Sequence, residues 1–158
     1  MSSSDQRCVV RVAVEADLLA LLRLYSRADE GFRPEVESVS PIEASTWATM
    51  LRAENQTTHV AELDGEIVGA ALFVKIINLG YDCRPSGVIE AMVVSAAHRR
   101  RGIARRIIKQ VLADAEAAGC HKIQLLTHKR HATDGTHDFY RSAGFEPEAE
   151  GFRLYLDT

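Results

Sequence analysis

Between Val93 and Ala104 the chain reads Val93-Val94-Ser95-Ala96-Ala97-His98-Arg99-Arg100-Arg101-Gly102-Ile103-Ala104, a strand-like run that passes through a short turn into a helix. A tight turn entering a helix leaves the first backbone N–H groups unpaired, and the helix dipole adds partial positive charge there. Such a terminus suits a phosphate or pyrophosphate, and Gly102 with the small Ala104 lets a ligand approach the backbone closely. The neighbouring arginines supply countercharge. The competing reading of the segment is a solvated basic helix start. A phosphate-binding GxxxxGK[ST] loop and a dinucleotide-binding GxGxxG are both absent.

Charge is distributed to match a small anion. From Arg99 to Lys109 there are six basic residues and no acids, whereas the 158-residue chain as a whole carries −3. That one segment therefore carries +6 and the remainder −9. A nucleic-acid binder spreads basic charge over a face or a whole domain, so this balance argues against one. No stretch approaches the roughly 18 apolar residues of a membrane span. Residues 1–6, lacking an apolar run, read as a short frayed arm. Cys8, Cys83 and Cys120 are widely spaced and match no metal-ligand pattern, so reduced thiols in a cytoplasmic protein, with no metal, are expected.

The elements that must hold this turn follow from periodicity, and the length predicts a single domain over 1–158. Arg7 to Val14 alternates like a strand, and Leu18, Leu19, Leu22 and Tyr25 then follow helical spacing. Gly31 to Val39 is a loop. Ser40-Pro41-Ile42-Glu43 is a capping box that opens a second helix reaching about Ala53, with Trp47, Met50 and Leu51 on its buried face. Thr57 to Leu63 and Glu66 to Ile77 flank Asp64-Gly65, a hairpin. Val88 to Val94 is a strand. Gly102 to Ala118 is a helix with Ala104, Ile107, Ile108, Val111, Leu112 and Ala115 as its apolar stripe, closed by Gly119. A strand from Lys122 to Thr127, a polar loop, a helix around Thr136 to Ala143 and a last strand from Phe152 to Leu156 complete an α/β order β-α-α-β-β-β-α-β-α-β, a mixed, mostly antiparallel sheet flanked by helices.

Arg99-x-x-Gly102-x-Ala104 resembles [QR]-x-x-G-x-[GA], the acyl-CoA pyrophosphate motif of the GNAT superfamily of N-acetyltransferases. The preceding Val88 to Val94, the helix, Gly119-Cys120, the next strand and Phe139-Tyr140-Arg141-Ser142-Ala143-Gly144-Phe145 resemble that family's elements in order. Residues 88–145 carry most of the likeness. The resemblance implies a cleft where two strands splay apart, with acetyl-CoA as co-substrate. Residues matching Met92, Val93 and Val94 then offer backbone groups to the pantetheine arm, and those matching Arg99, Arg100, Arg101, Gly102, Ile103 and Ala104 hold the pyrophosphate. Tyr140 matches the tyrosine beside the CoA sulfur, where a phenol with a pKa near ~10 can donate to a departing thiolate. Its alternative is an aromatic packed on the core.

Glu90 is the candidate general base, since the amine must lose a proton to attack the thioester. A strand-end glutamate can equally be merely solvated. His128 and His131 are rivals, and His98 reads as part of the turn. Many relatives carry an asparagine at the end of the fifth strand, where this chain has Thr127. The expected function is acetyl transfer to a primary amine of a small molecule or peptide, with a non-catalytic acyl-CoA sensor on the same fold as the alternative. A homodimer is common in that superfamily.

Overall fold

The computed structural model describes residues 8–28 and 35–156, so the expected arm at 1–6 and residues 31–34 of the expected loop lie outside the described residues. Strands β1 (Cys8–Val12), β2 (Gln56–Leu63), β3 (Glu66–Ile76), β4 (Ser86–Val94) and β5 (Lys122–Leu125) form one sheet in that order. The first four are antiparallel neighbours and β5 runs parallel to β4. Helices α1 (Leu18–Ala28) and α2 (Pro41–Arg52) cover one face, while α3 (Ile103–Ala117) and α4 (Thr136–Ser142) cover the other.

Local chemistry accounts for most of these boundaries. Asp64 and Gly65 both take positive φ (51° and 84°), the geometry that lets a two-residue turn follow the twist of β2 and β3. Ser40 opens α2 with its capping box closed. Its N–H donates to Glu43 Oε2 at 2.7 Å, and Glu43 N–H donates back to Ser40 Oγ at 3.4 Å. At the entry to α1, Asp17 is buried and its carboxylate accepts from Arg11 Nη1 and Nη2 (2.7 and 3.0 Å) and from Val14 N–H (2.8 Å).

Of the expected α3 stripe, Ile107, Ile108, Val111 and Ala115 are buried and Ala104 and Leu112 half-buried, and Ile103 is buried with them. In α1 the expected face is rotated, because Leu21 and Leu24 are the buried residues. In α2 Trp47 is buried as expected, but Leu51 is exposed.

Helix α3 lies close to the sheet because Gly69 on β3 has no side chain. A Cβ there would stand 2.9 Å from Ile107 Cδ1 and 3.2 Å from Ile103 Cγ2. Further down the same helix, His59 of β2 is fully buried with Nε2 2.7 Å from Asp114 Oδ2.

One expected strand does not form. Phe152–Leu156 carries no strand, and its large apolar side chains are 71–91% exposed. A strand needs a neighbour to complete its hydrogen bonds, and this segment has none among the described residues.

Candidate active site at the divergence of β4 and β5

Strands β4 and β5 pair only from Ser86–Lys122 to Ile89–Leu125. Past that point β4 continues for five residues, Glu90 to Val94, with no strand paired along its β5 side among the described residues, and the two strands open like a V. The opening begins at a bulge. Ala70 pairs with Val93 but Leu72 pairs with Glu90, so two residues of β4, Ala91 and Met92, oppose Ala71 alone. Ala91 takes a φ of 49° to accommodate the extra residue.

The bulge reverses the phase of the strand. Before it, Ile89 packs into the cluster under α3; after it, Met92 and Val94 do so, while Val93 joins the cluster under α1 and α2. Ser95 N–H donates to Val68 O at 2.8 Å, so strand alternation turns the Val94 N–H and C=O toward the open side. There the Val94 carbonyl accepts from Arg99 Nε at 3.4 Å. The unpaired edge of β4 offers what another extended chain would bond to.

At the wide end of the V stands the turn into α3. Arg100 and Gly102 both have positive φ (61° and 76°), a curl that helps turn successive N–H groups the same way. The first helical bond is Arg106 N–H to Gly102 O at 3.1 Å, so the N–H groups of Ile103, Ala104 and Arg105 have no acceptor within the helix. A Cβ built on Gly102 meets nothing within 4 Å, which leaves the approach open. An anion the size of a pyrophosphate fits this end on charge, donors and access together.

The structure sorts the arginine cluster. Arg106 reaches back to the Cys8 carbonyl at 3.3 Å. Arg105 reaches across to α4, donating to Ser142 O at 3.3 Å and Ser142 Oγ at 2.8 Å, and lies over the Phe139 ring. Both are braces, which sequence could not reveal because their targets are distant in the chain. Arg99, Arg100 and Arg101 are exposed in the turn itself.

Helix α4 carries Tyr140 to the same cluster as Met92 and Val94. The ring stands edge-on to Phe145 (5.9 Å between centroids) and tilted against Phe139 (5.2 Å). Burial raises the phenol pKa above its ordinary value. Glu90 is exposed on β4, the first residue past the last β4–β5 pair, where the V begins. Continuing the β4–β5 register places Leu126 opposite it, and Gly151 lies against Leu126. Arg153, held by Tyr155 Oη at 3.1 Å, is raised in pKa chiefly by that hydrogen bond and to a lesser extent by the nearby Glu90 charge.

Of the rival bases, His98 Nδ1 is 3.2 Å from Ser95 Oγ, within the turn as expected. His131 Nδ1 is 2.6 Å from Asp134 Oδ2, and the His128 ring accepts from Arg130 N–H at 3.1 Å, so both are engaged within their own loop. An apolar cleft of about 200 Å³ lies between α1 and α2, lined by Leu21, Tyr25, Trp47 and Met50, residues of the cluster that Val93 of β4 also joins. Among the described residues no group of His, Cys, Asp and Glu is placed to hold a metal. No helix among them is long and apolar enough to cross a membrane.

With this geometry in place, residues 8–145 match the acetyltransferase (GNAT) family. The chain belongs to that family. A glucosamine 6-phosphate N-acetyltransferase of Trypanosoma brucei brucei is 28% identical over 149 residues, covering 93% of this chain and 95% of that protein. The crystal structure of a Trypanosoma brucei acetyltransferase superposes with a TM-score of 0.79 at 26% identity, over 95% of this chain and 100% of that one. A transcriptional regulator of Bacillus halodurans has the same fold, with a TM-score of 0.86, 24% identity, and 95% and 100% coverage. The GNAT fold is thus shown, and this member is an N-acetyltransferase.

Proposed function

We propose that this acetyltransferase moves the acetyl group of acetyl-CoA directly to a primary amine of a small molecule or peptide, within one ternary complex. The observation that carries the reading is the unpaired edge of β4 from Glu90 to Val94, continuous with the N-terminus of α3. Backbone groups of Met92, Val93 and Val94 bind the pantetheine arm along that edge. The N–H groups of Gly102, Ile103 and Ala104, with Arg99, Arg100 and Arg101, take the pyrophosphate. Glu90 accepts the proton of the incoming ammonium, directly or through water, so that the neutral amine attacks the thioester carbonyl. Collapse of the tetrahedral species expels the thiolate, to which Tyr140 donates a hydrogen bond. Its burial keeps it protonated across neutral pH and also makes it a reluctant acid, so hydrogen-bond stabilisation outweighs full proton transfer.

The T. brucei brucei relative, named for an amino sugar phosphate, makes amino sugars the first acceptor class to try. The free cysteines Cys8, Cys83 and Cys120 fit a reducing cytoplasm. Screening amines with acetyl-CoA while reading out free thiol tests the proposal. Thiol release with at least one amine, and N-acetyl product by mass spectrometry, is expected. Tight acetyl-CoA binding with no thiol released by any amine would replace it with the acyl-CoA sensor.

A further inference from the structure

Glu90 and the apolar cleft between α1 and α2 lie on the same face of the sheet. Thr58 of β2 pairs with Leu72 of β3, and Leu72 pairs with Glu90 of β4, so the three form one cross-strand row. Directly opposed residues share a face. Thr58 lines the cleft, whereas its neighbour His59 reaches Asp114 of α3 and Ile89, next to Glu90, packs under α3. Alternation along each strand therefore turns the whole row toward α1 and α2. The adjacent row, Val60, Ala70 and Val93, belongs to the cluster under the same two helices. Two strand spacings separate Thr58 from Glu90, roughly 10 Å across the sheet, with the half-buried Leu72 between them.

Resting on the acyl-transfer reading above, we propose that the acceptor is a primary amine carried on a compact apolar body, one aromatic ring or a branched alkyl group. The body sits in the cleft and the amine reaches over Leu72 to Glu90. Size and lining select this class. The cleft holds about 200 Å³, and an apolar cavity of about 150 Å³ accommodates benzene, so there is room for a single ring. Leu18, Leu21, Leu22, Trp47 and Met50 supply apolar walls. The carboxylate among the lining residues, Glu43, is already committed to the N–H and hydroxyl of Ser40. Sugar hydroxyls entering here would give up water for few partners. The acetyl group is too small to fill the cleft and the pantetheine arm follows the β4 edge, which leaves the acceptor as occupant.

The two ends of such a molecule meet complementary surroundings. The ammonium faces the carboxylate of Glu90, and the body loses its contact with water against apolar side chains. Discrimination between amines of equal basicity then comes from the body alone.

Trp47 is the chain's single tryptophan and lines the cleft, so its fluorescence reports occupancy independently of turnover. With CoA present, 2-phenylethylamine should shift that fluorescence saturably, and ethylamine at the same concentrations should not. In acetyl-transfer assays read by free thiol, kcat/KM for 2-phenylethylamine should exceed that for ethylamine by about 100-fold or more, since a single methylene in an apolar pocket is worth about 10–200-fold. Ile42 lines the rim and is 74% exposed, so Ile42→Asp should keep the wild-type circular dichroism while that ratio falls about tenfold or more. A preference for glucosamine 6-phosphate over 2-phenylethylamine, or an unmoved Trp47 signal, overturns the apolar acceptor and leaves direct acyl transfer standing. An undiminished ratio in folded Ile42→Asp also overturns it, since the body would then bind elsewhere. Thiol released by no amine overturns acyl transfer, and this inference with it.

Discussion

Arg105 Nη2 donates to Ser142 Oγ at 2.8 Å, and through this contact helix α3, which opens at Gly102, holds the helix that carries Tyr140. The two ends of the proposed acyl-CoA site are thereby fixed relative to one another by side chains 37 positions apart. Arg105→Ala is expected to lower turnover several-fold while shifting unfolding free energy by no more than about 1 kcal/mol, because the contact is exposed. Steady-state kinetics beside thermal melts check this, and unchanged turnover removes the positioning role.

Gly102→Glu places a carboxylate and a Cβ at a φ of 76° in the turn assigned to the pyrophosphate. The left-handed conformation costs a side chain about 1–2 kcal/mol, and the added charge opposes the ligand. Calorimetry on the folded variant should show acetyl-CoA affinity reduced by tenfold or more. Equal affinity would move the phosphate site elsewhere.

Tyr140→Phe removes only the hydroxyl from a ring that packs beside Phe139 and Phe145. Turnover should fall by roughly 10²-fold, the low end for a general-acid role, since water can replace part of the donor. Acetyl-CoA affinity should hold. Because burial raises the phenol pKa, the wild-type rate should not decline through Tyr140 ionisation until pH rises above about 10. Loss of rate at lower pH must come from another group.

Glu90→Gln keeps the size of an exposed side chain and deletes its basic site. At pH 7 turnover should drop by about 10²-fold, with part of the loss recovered at high pH, where more acceptor amine is already neutral. An unaltered pH–rate profile would pass the role to a chain of waters or to His128.

Asp17→Asn tests the entry to α1. The Arg11 guanidinium, ahead of the Val14 N–H, holds the Asp17 carboxyl below its ordinary pKa. A depressed folded-state pKa contributes stability above the unfolded value of about 3.9, and that contribution is lost as pH falls through the lower, folded value. The variant should be less stable at pH 7 by roughly 1.5–3 kcal/mol, the range for hydrogen bonds to a charged group. The gap to wild type should shrink below about pH 4. Denaturant melts at both pH values read it directly.

Sequence exposed the parts of this architecture that depend on local chemistry. Asp64-Gly65 announced a hairpin because few other dipeptides tolerate two positive φ values, and Ser40 with Glu43 announced a helix start by reciprocal bonding. The turn at Arg99 to Ala104 was legible for the same reason. What depends on distant partners was not. Nothing in Arg105 or Arg106 tells that they brace α4 and β1 rather than face a phosphate. The alternation from Phe152 to Leu156 shows the wish for a neighbour without supplying one. The bulge was hidden for another reason. Val88 to Val94 is apolar on both faces apart from Glu90, so its parity cannot be counted from residue types.

That parity has a consequence for how the chain can change. Strand β4 spends one residue, Ala91, to bring Met92 and Val94 onto the layer that Ile89 began. Deleting a single residue between Glu90 and Met92 would not merely shorten the strand. It would leave Met92, Val93 and Val94 opposite Ala71, Ala70 and Gly69 with the same faces inward, but would remove the bulge at which the gap along β5 begins. The packing layers of β4 would survive such a deletion while the bend would not, so the extra residue serves the opening beside the strand rather than the core beneath it.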